Sequence, residues 1–308
     1  MSLVEARVEN GAGHLLLNRP AAINALSSAM IDQLYATLVD WAEDPAVREV
    51  VIAGAGRGFC AGADVRELRQ VIIEERGDPV DFLAREYRLD ALVATYPKPY
   101  TARLHGIVMG GGMGVSIHGS HRVAALGTTL AMPEVTIGLW PDVGMMYHLA
   151  RLPGEAGTYM ALTGLTVTGA EAGRLGLVNI VETADEPGQT GLPGPGGLAE
   201  AFAGDDILAI MDRLEASSDP AARHAAATIR LRSPLSVAVS LEALRRARHL
   251  SQAAVFDQDL RMGAFFLGEP ADYVEGVRAQ LVDKDFTPRW RYPRLEDVPA
   301  AAVRAAFD

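Results

Sequence analysis

Two short apolar runs on either side of an amphipathic segment constrain the fold of this chain more than any other feature. The runs cover 13–18 and 50–54, and glycine or proline ends each of them. Between them, 27–46 begins at a candidate cap and carries apolar residues at three- and four-residue spacing, namely Met30, Ile31, Leu34, Leu38 and Trp41. This strand–helix–strand order predicts two parallel strands joined by a right-handed crossover.

Clusters of glycine follow two of the predicted strands. A third apolar run, 100–108, precedes the triple glycine 110–112, and 113–118 is predicted to begin a helix against that strand. The earlier cluster 54–58 suggests a dinucleotide-binding loop, but the third glycine of that fingerprint would stand at position 59, which is Phe59. Either cluster on its own is more often an ordinary turn than a ligand-binding loop.

The composition changes towards the C-terminus. Segment 183–199 is rich in Gly, Pro and acidic residues without apolar periodicity, which predicts a surface loop or linker. Helical spacing follows it in three segments, 207–214, 221–231 and 234–265. We therefore predict three parts, namely an α/β core over 1–182, the linker 183–199 and a helical C-terminal region over 200–308.

Composition and charge exclude several classes of function. The 308 residues are 49% hydrophobic and carry a formal net charge of −11, which is too acidic for a nucleic-acid groove. The single cysteine, Cys60, allows no internal disulfide and fits a reducing compartment. The N-terminal residues do not have the pattern of a secretory signal, and no uncharged apolar run reaches about 18 residues. We expect a cytoplasmic protein with no membrane partner.

Two carboxylates, Glu134 and Asp142, lie in the apolar, Gly- and Pro-rich segment 131–144. Taking a charge out of water costs several kcal/mol unless it is paired or changes its pKa, so acids in such surroundings often carry chemistry. Gly138 and Pro141 interrupt any helix between them, which predicts a turn at the edge of a pocket. A capping role for Glu134 and a turn role for Asp142 are the structural alternatives.

Several ordered motifs resemble the enoyl-CoA hydratase/isomerase (crotonase-like) superfamily over nearly the whole chain. They are Asn18-Arg19-Pro20, Asn24-Ala25-Leu26, Phe59-Cys60-Ala61-Gly62-Ala63-Asp64, His105-Gly106, Gly110-Gly111-Gly112 and Met132-Pro133-Glu134. Within the superfamily the chain is most similar to the 3-hydroxyisobutyryl-CoA hydrolases, through 105–114, 116–119, 137–144 and 275–285. The resemblance implies an α/β fold of the ClpP/crotonase type, in which a spiral of ββα units precedes a helical C-terminal part.

The resemblance also implies a set of catalytic groups. The N–H groups of Ala63 and Gly111 would form an oxyanion hole for the thioester carbonyl, with Gly111 at the start of a helix. Glu134 stands at the position of the retained catalytic glutamate, as a general base or a nucleophile. The hydratases carry a second glutamate at the position of Gly114, whereas the hydrolases carry an acid at the position of Asp142. This pattern favours hydrolysis with assistance from Asp142.

Coenzyme A would be bound as part of the substrate. The resemblance places its adenine and pantetheine along the loop 57–63, held mainly by the backbone, with basic groups near the phosphates. The residues predicted to bind substrate or CoA are Arg57, Phe59, Ala61, Gly62, Asp64, Gly110, Gly114 and Lys284. Arg57 and Lys284 also fit an ordinary solvated surface. No cofactor beyond the CoA of the substrate and no metal is expected.

The predicted reaction is hydrolysis of a short 3-hydroxyacyl-CoA such as 3-hydroxyisobutyryl-CoA, in valine breakdown. One alternative is an enoyl-CoA hydratase or isomerase acting on a 2-enoyl-CoA. The other is a non-catalytic acyl-CoA-binding protein, which would keep the oxyanion glycines and tolerate loss of Glu134. Superfamily members commonly form trimers or hexamers, so a homo-oligomer is expected, and the partner is a small-molecule acyl-CoA rather than nucleic acid.

Overall fold

The computed structural model describes residues 2–182 and 197–308, which contain nine strands and fourteen α-helices. The strands are β1 Val4–Glu9, β2 Ala12–Leu17, β3 Glu49–Gly54, β4 Tyr100–Leu104, β5 Ile107–Met109, β6 His121–Ala124, β7 Thr129–Ala131, β8 Val167–Thr168 and β9 Ile180–Val181. The helices are α1 Ser28–Glu43, α2 Val65–Ile73, α3 Val80–Ala94, α4 Gly111–Ile117, α5 Met145–Leu149, α6 Ala156–Thr163, α7 Gly169–Leu175, α8 Gly197–Ala201, α9 Ile207–Ala216, α10 Pro220–Arg230, α11 Pro234–Ala247, α12 Gln252–Gly268, α13 Ala271–Val277 and α14 Ala300–Ala305. Within these residues no helix has the length and apolar character needed to span a lipid bilayer.

Two compact units divide the chain, and both are discontinuous in sequence. As far as their residues are described, the first comprises Met1–Asp64, Phe82–Ala131 and Thr166–Gln189, and the second comprises Val65–Asp81, Met132–Leu165 and Thr190–Asp308. The predicted linker 183–199 lies outside the described residues up to position 196. Its last three residues are helical instead of loop, because Leu198 and the following Ala201 and Phe202 are apolar at helical spacing and buried.

The first unit contains both sheets. The larger sheet has the order β1-β2-β3-β4-β6-β9, in which only β1 and β2 pair antiparallel. The smaller sheet has the order β5-β7-β8, with β5 and β7 parallel. The predicted strands 13–18 and 50–54 correspond to β2 and β3, and their parallel pairing on either side of α1 in the sequence confirms the predicted order of two parallel strands joined by a helix.

The strands of the first unit follow a repeating ββα order. A strand of the larger sheet is followed by a short extended segment beside the smaller sheet and then by a helix, as in β4, β5 and α4. The same order begins at β3, because Cys60 bridges to Val108 of β5 before the chain reaches α3. The run 100–108 is therefore two strands in two sheets, separated by a turn at Gly106 (φ +54°). The spiral of ββα units agrees with the fold that the resemblance implies.

Helix α1 packs on the sheet through the residues that the spacing predicted. Its buried side chains are those of Met30, Ile31, Leu34, Leu38 and Trp41. The Ser27 hydroxyl caps the helix by accepting a hydrogen bond from the Met30 N–H. Trp41 lies directly on β2, because a methyl group placed on Gly13 would come within 2.5 Å of the indole. Glycine at position 13 therefore leaves room for the tryptophan.

Side-chain caps mark where four helices of the second unit begin. The side chains of Asp206, Asp219, Ser233 and Ser251 accept hydrogen bonds from the first turns of α9, α10, α11 and α12. The helical segment predicted over 234–265 is in fact two helices. The chain leaves α11 at Ala247, and Ser251 begins α12 by accepting a bond from the Ala254 N–H at 3.2 Å. The Ser251 hydroxyl therefore divides an apolar pattern that is continuous in the sequence into two helices.

Asn24 holds the loop that leads out of β3. It is fully buried in a left-handed conformation (φ +55°), and its Nδ2 group donates to the carbonyls of Ala55, Gly58 and Phe59 at 2.9–3.0 Å. Its Oδ1 accepts from the Arg19 N–H at 2.9 Å.

We expect Asn24→Ala to lower the free energy of unfolding by about 2–4 kcal/mol in urea titrations, since it leaves several buried backbone groups without a hydrogen-bond partner. Asn18→Ala, which removes an exposed bond to Glu5, should cost less than about 1 kcal/mol; equal losses would contradict this role.

Cys60 is a core thiol and not a nucleophile. It is fully buried, and its Sγ donates to the Asn24 carbonyl at 3.2 Å. Burial raises the pKa of the Cys60 thiol to about 12, and the charges of Glu86 and Asp90 add to the increase.

We expect no labelling of the Cys60 thiol in the folded protein by a disulfide reagent at about pH 8, and labelling of one thiol per chain after unfolding. Rapid labelling without denaturant would show that the thiol is accessible and ionised.

Candidate active site

Two backbone N–H groups, those of Ala63 and Gly111, lie side by side in the first unit. A methyl group placed on Gly111 would come within 3.1 Å of the Ala63 nitrogen. Gly62 (φ +109°) lies against the same place, with its β-position 3.5 Å from the Gly111 nitrogen. Among the hydrogen bonds of residues 2–182 and 197–308, neither N–H has an acceptor. Both N–H groups are therefore available to an acceptor outside the described chain.

Short ladders position these two amides. The Gly62 carbonyl accepts from the Leu26 N–H at 2.8 Å, and the Leu26 carbonyl accepts from the Asp64 N–H at 2.8 Å. Gly111 is the first residue of α4, so helix geometry leaves its N–H without an intrahelical acceptor. Gly110 turns the chain from β5 into α4 at φ +49°, a conformation that favours glycine. Backbone hydrogen bonds and the turn at Gly110 thus hold the segments that carry both donors.

Two buried carboxylates, Glu86 and Asp90, face the glycines of α4. The β-position of Gly111 lies against Glu86 Oε1, and that of Gly114 lies 2.6–2.9 Å from the carboxyl group of Asp90. Both acids belong to α3, and their exposed fractions are 1% and 0%. Gly114, predicted to mark the loss of the hydratase acid, therefore has another acid directly beside it. Glycine at 111 and 114 leaves the space that these side chains fill.

Glu86 and Asp90 are not among the residues predicted from the sequence to be functional. The signal was present, because both acids fall on the apolar stripe of α3 together with Leu83, Tyr87 and Val93. Charged residues on the buried stripe of a helix are rare and are often functional. The surrounding charges in 65–88 concealed the stripe, since most of them are exposed.

Glu134 lies in the second unit, where it begins a 3₁₀ turn, Glu134–Thr136. Its side chain is 7% exposed. Its carbonyl accepts from the N–H groups of Ile137 at 2.9 Å and Leu139 at 3.1 Å, and Thr136 Oγ1 donates to the Pro133 carbonyl. A turn is therefore present at Glu134, but it ends before Pro141 and does not include Asp142, which lies in a separate turn. A pocket edge at this place stays a prediction. A buried carboxylate on a rigid turn has the character of a catalytic group.

Asp142 lies in the same unit, in the turn that leads into α5. Its side chain is 6% exposed, and its carbonyl accepts from the Met145 N–H at 2.8 Å. The next residue, Val143, has φ +51°, which is unusual for a β-branched residue. A second buried acid, Asp259 of α12, lies close enough for the charge of Asp142 to raise its pKa. Glu134, Asp142 and Asp259 are thus buried carboxyl groups of the second unit, in two turns and one helix.

The residues predicted to bind CoA have varied environments. Arg57 is exposed in the first unit, and Lys284 is exposed in the second. Phe59 is a core residue, with a ring that is completely buried and backbone groups that bond His105 and Asn24. Asp64 forms an ion pair of 2.6 Å with Arg19. Gly110 is buried just before α4, and Gly114 is buried within it. Ala61 and Gly62 lie on the loop before Ala63. Their contacts with CoA stay predictions.

Comparison with known proteins gives the family. The sequence profile described as enoyl-CoA hydratase/isomerase matches residues 12–190 and 194–307. A 3-hydroxyisobutyryl-CoA hydrolase of Gallus gallus mitochondria is 36% identical over 97% of this chain and 87% of its own length. A probable 3-hydroxyisobutyryl-CoA hydrolase of Arabidopsis thaliana is 34% identical over 96% of this chain and 88% of its own length.

Solved structures agree with this assignment. A protein described as a carnitinyl-CoA dehydratase from Mycobacterium thermoresistibile is 39% identical, with a TM-score of 0.94 over 100% of this chain and 97% of that one. An enoyl-CoA hydratase from Rhodobacter sphaeroides is 34% identical, with a TM-score of 0.90 over 99% and 97% of the two chains. Profile, relatives and structures cover the same residues. The chain belongs to the enoyl-CoA hydratase/isomerase family and has the crotonase-like fold.

Proposed function

We propose that this protein hydrolyses the thioester bond of a short 3-hydroxyacyl-CoA, with 3-hydroxyisobutyryl-CoA as its substrate. The observation that carries the proposal is the pair of buried acids Glu134 and Asp142, in a chain similar along its length to proteins named 3-hydroxyisobutyryl-CoA hydrolases. Gly114 supports it, because the hydratase pattern has an acid there. The reaction would serve valine breakdown, and the cytoplasm is the compartment expected from the sequence.

The oxyanion donors carry the first part of the mechanism. Attack on the thioester carbonyl moves negative charge onto its oxygen, and the N–H groups of Ala63 and Gly111 are fixed in place to receive it. One such donor contributes about 3–4 kcal/mol of transition-state stabilisation. Because both donors belong to the backbone, no rotation of a side chain is needed when the charge develops.

The acids carry the proton transfers. Glu134 removes a proton from water as the water oxygen bonds to the carbonyl carbon, or it attacks that carbon itself. The C–S bond then breaks, and the departing sulfur takes a proton to give the CoA thiol. On the general-base route the other product is the free hydroxy acid, whereas on the nucleophilic route it is a mixed anhydride with Glu134, which a water molecule hydrolyses to the hydroxy acid and the free Glu134 carboxylate. Asp142 orients the attacking water or delivers the proton to sulfur. CoA leaves as a product, so the reaction consumes only water and thioester.

Glu134→Gln should reduce thiol release from 3-hydroxyisobutyryl-CoA by at least about 100-fold, because the amide cannot accept the proton. Asp257→Asn is the matched control, since Asp257 is an exposed acid of the same unit, and it should keep the wild-type rate. Released CoA can be followed with a disulfide reagent, since the enzyme's own thiol is buried. Unchanged thiol release in Glu134→Gln would refute the proposed role.

Gly111→Ala should lower kcat by about 100-fold while the protein stays folded, because the methyl group would displace Glu86 and crowd the Ala63 donor. Gly268→Ala is the control, since a methyl group there meets no atom within 4 Å. Thiol release by the two variants should be compared at saturating substrate, together with their melting temperatures. Equal rates would show that the amide pair does not contribute to catalysis.

Hydration of a 2-enoyl-CoA is the second candidate function. The observation in its favour is Asp90, whose carboxyl group lies beside Gly114, where the hydratase pattern has its second acid. Crotonyl-CoA hydration should therefore be measured beside thiol release, with Asp90→Asn as the discriminating variant. Hydration without thiol release would identify a hydratase. Tight binding of both thioesters without turnover would identify a non-catalytic acyl-CoA-binding protein.

A further inference from the structure

Asp259 of α12 is a buried acid that no step of the proposed reaction uses. Its side chain is fully buried, and each of its carboxyl oxygens accepts one hydrogen bond. Oδ1 accepts from Trp140 Nε1 at 2.9 Å, and Oδ2 accepts from the Gly144 N–H at 2.8 Å. One side chain from a distant part of the sequence therefore holds two points of the turn 140–144.

Asp142 lies midway between these two points of attachment, two residues from Trp140 and two from Gly144. The backbone there is strained, since buried Val143 has φ +51° and Gly144 follows at φ +71°. A β-branched residue keeps such a conformation only where the surrounding contacts impose it. The two hydrogen bonds to Asp259 are contacts of this kind.

Trp140 is attached to α12 in a second way. Its indole is fully buried and stacks on Phe266, with ring centroids 5.2 Å apart and planes inclined by 28°. Phe266 follows Asp259 by two helical turns, so both lie on one face of α12. The helix therefore fixes the indole through its ring and its N–H together. This leaves the start of the turn little freedom to move.

The charges of the two acids are also coupled. Burial raises the pKa of Asp259 well above its usual range, and the negative charge of Asp142 raises it further, while the bonds from Trp140 and Gly144 lower it. A carboxyl group that is shielded from water and faces another acid is costly to keep in a core. Its retention needs a compensating role beyond packing.

We propose that Asp259 is a positioning residue for Asp142: it anchors both ends of the turn 140–144 and so fixes where the Asp142 carboxylate points. The proposal rests on the proposed function, because it assigns the purpose of the anchor to Asp142. Asp259 touches neither substrate nor reacting atoms in this role. An amide at 259 has a single acceptor oxygen, and its NH2 group cannot accept from an N–H, so Asp259→Asn releases one of the two attachments.

The test compares Asp259→Asn, Asp142→Asn and the double variant with the exposed control Asp257→Asn on the same helix. Thiol release from 3-hydroxyisobutyryl-CoA gives kcat and KM, and hydrogen exchange of peptides covering 140–144 reports on the turn itself. We expect Asp259→Asn to lower kcat by about 100-fold with KM changed less than about threefold. The double variant should be no slower than Asp142→Asn, and exchange at Gly144 should accelerate.

Trp140→Phe keeps the proposal testable if Asp259→Asn does not fold. It removes one of the two hydrogen bonds and keeps an aromatic ring against Phe266, and kcat should fall by about 10-fold. Asp259→Glu, which retains two acceptor oxygens, should recover part of the activity lost in Asp259→Asn.

Two results would overturn the proposal. The first is a wild-type kcat together with unchanged hydrogen exchange in Asp259→Asn. The second is a loss of kcat in the double variant equal to the product of the two single losses, which would mean that Asp259 acts independently of Asp142. Failure of the proposed function has a different signature. In that case Glu134→Gln and Asp142→Asn leave thiol release unchanged, and faster exchange in Asp259→Asn still supports the anchor on the turn.

Discussion

The parallel pairing of β2, β3, β4 and β6 is the constraint on which the first unit depends. Parallel strands all end at the same edge of the sheet, and each must be followed by a crossover before the next begins. The chain uses these exits for short extended segments that bridge one another, as Leu26 does with Ala63 and Cys60 with Val108. The loops that carry the Ala63 and Gly111 amides become neighbours for this reason. Their proximity follows from the strand order, and the side chain of Asn24 holds the loop that leads to Ala63.

Several buried acids lower the stability of this protein unless other interactions compensate them. The first unit encloses Glu86 and Asp90, and the second encloses Glu134, Asp142 and Asp259. Each would cost several kcal/mol in apolar surroundings without compensation, which is a large share of the stability of a domain. Surface ion pairs are a poor source of compensation, because exposed pairs contribute little. Selection for a task in the site explains such acids better than selection for stability.

Glycine has two separate uses around these acids. At Gly62 and Gly110 it permits backbone angles that other residues rarely adopt, and so it turns the two donor loops towards each other. At Gly111 and Gly114 the angles are ordinary, and glycine matters because the carboxyl groups of α3 occupy the space of a side chain. This second use, which is to leave space for a neighbouring carboxyl group, differs from the role of glycine in a turn or a phosphate-binding loop.

Features of the fold that depend on a single helix or strand could be predicted from the sequence. The apolar stripe of α1 and the strands β2 and β3 follow from the spacing of apolar residues alone. The split of 234–265 into α11 and α12 was missed because a continuous apolar pattern outweighed one serine cap. The acids of α3 were missed because exposed charges surround them in the sequence.

The sequence by itself determined the family, the parallel strand–helix–strand order of β2, α1 and β3, and the acids Glu134 and Asp142 as candidates, because these depend on residue types and their local spacing. Only the tertiary structure decided which groups meet. Asp259 lies far along the chain from Trp140 and Gly144, and only the packing of α12 brings its carboxyl group to both. The same holds for Glu86 beside Gly111 and Asp90 beside Gly114. Such contacts between distant segments are set by the closing of the whole core, which no local pattern records.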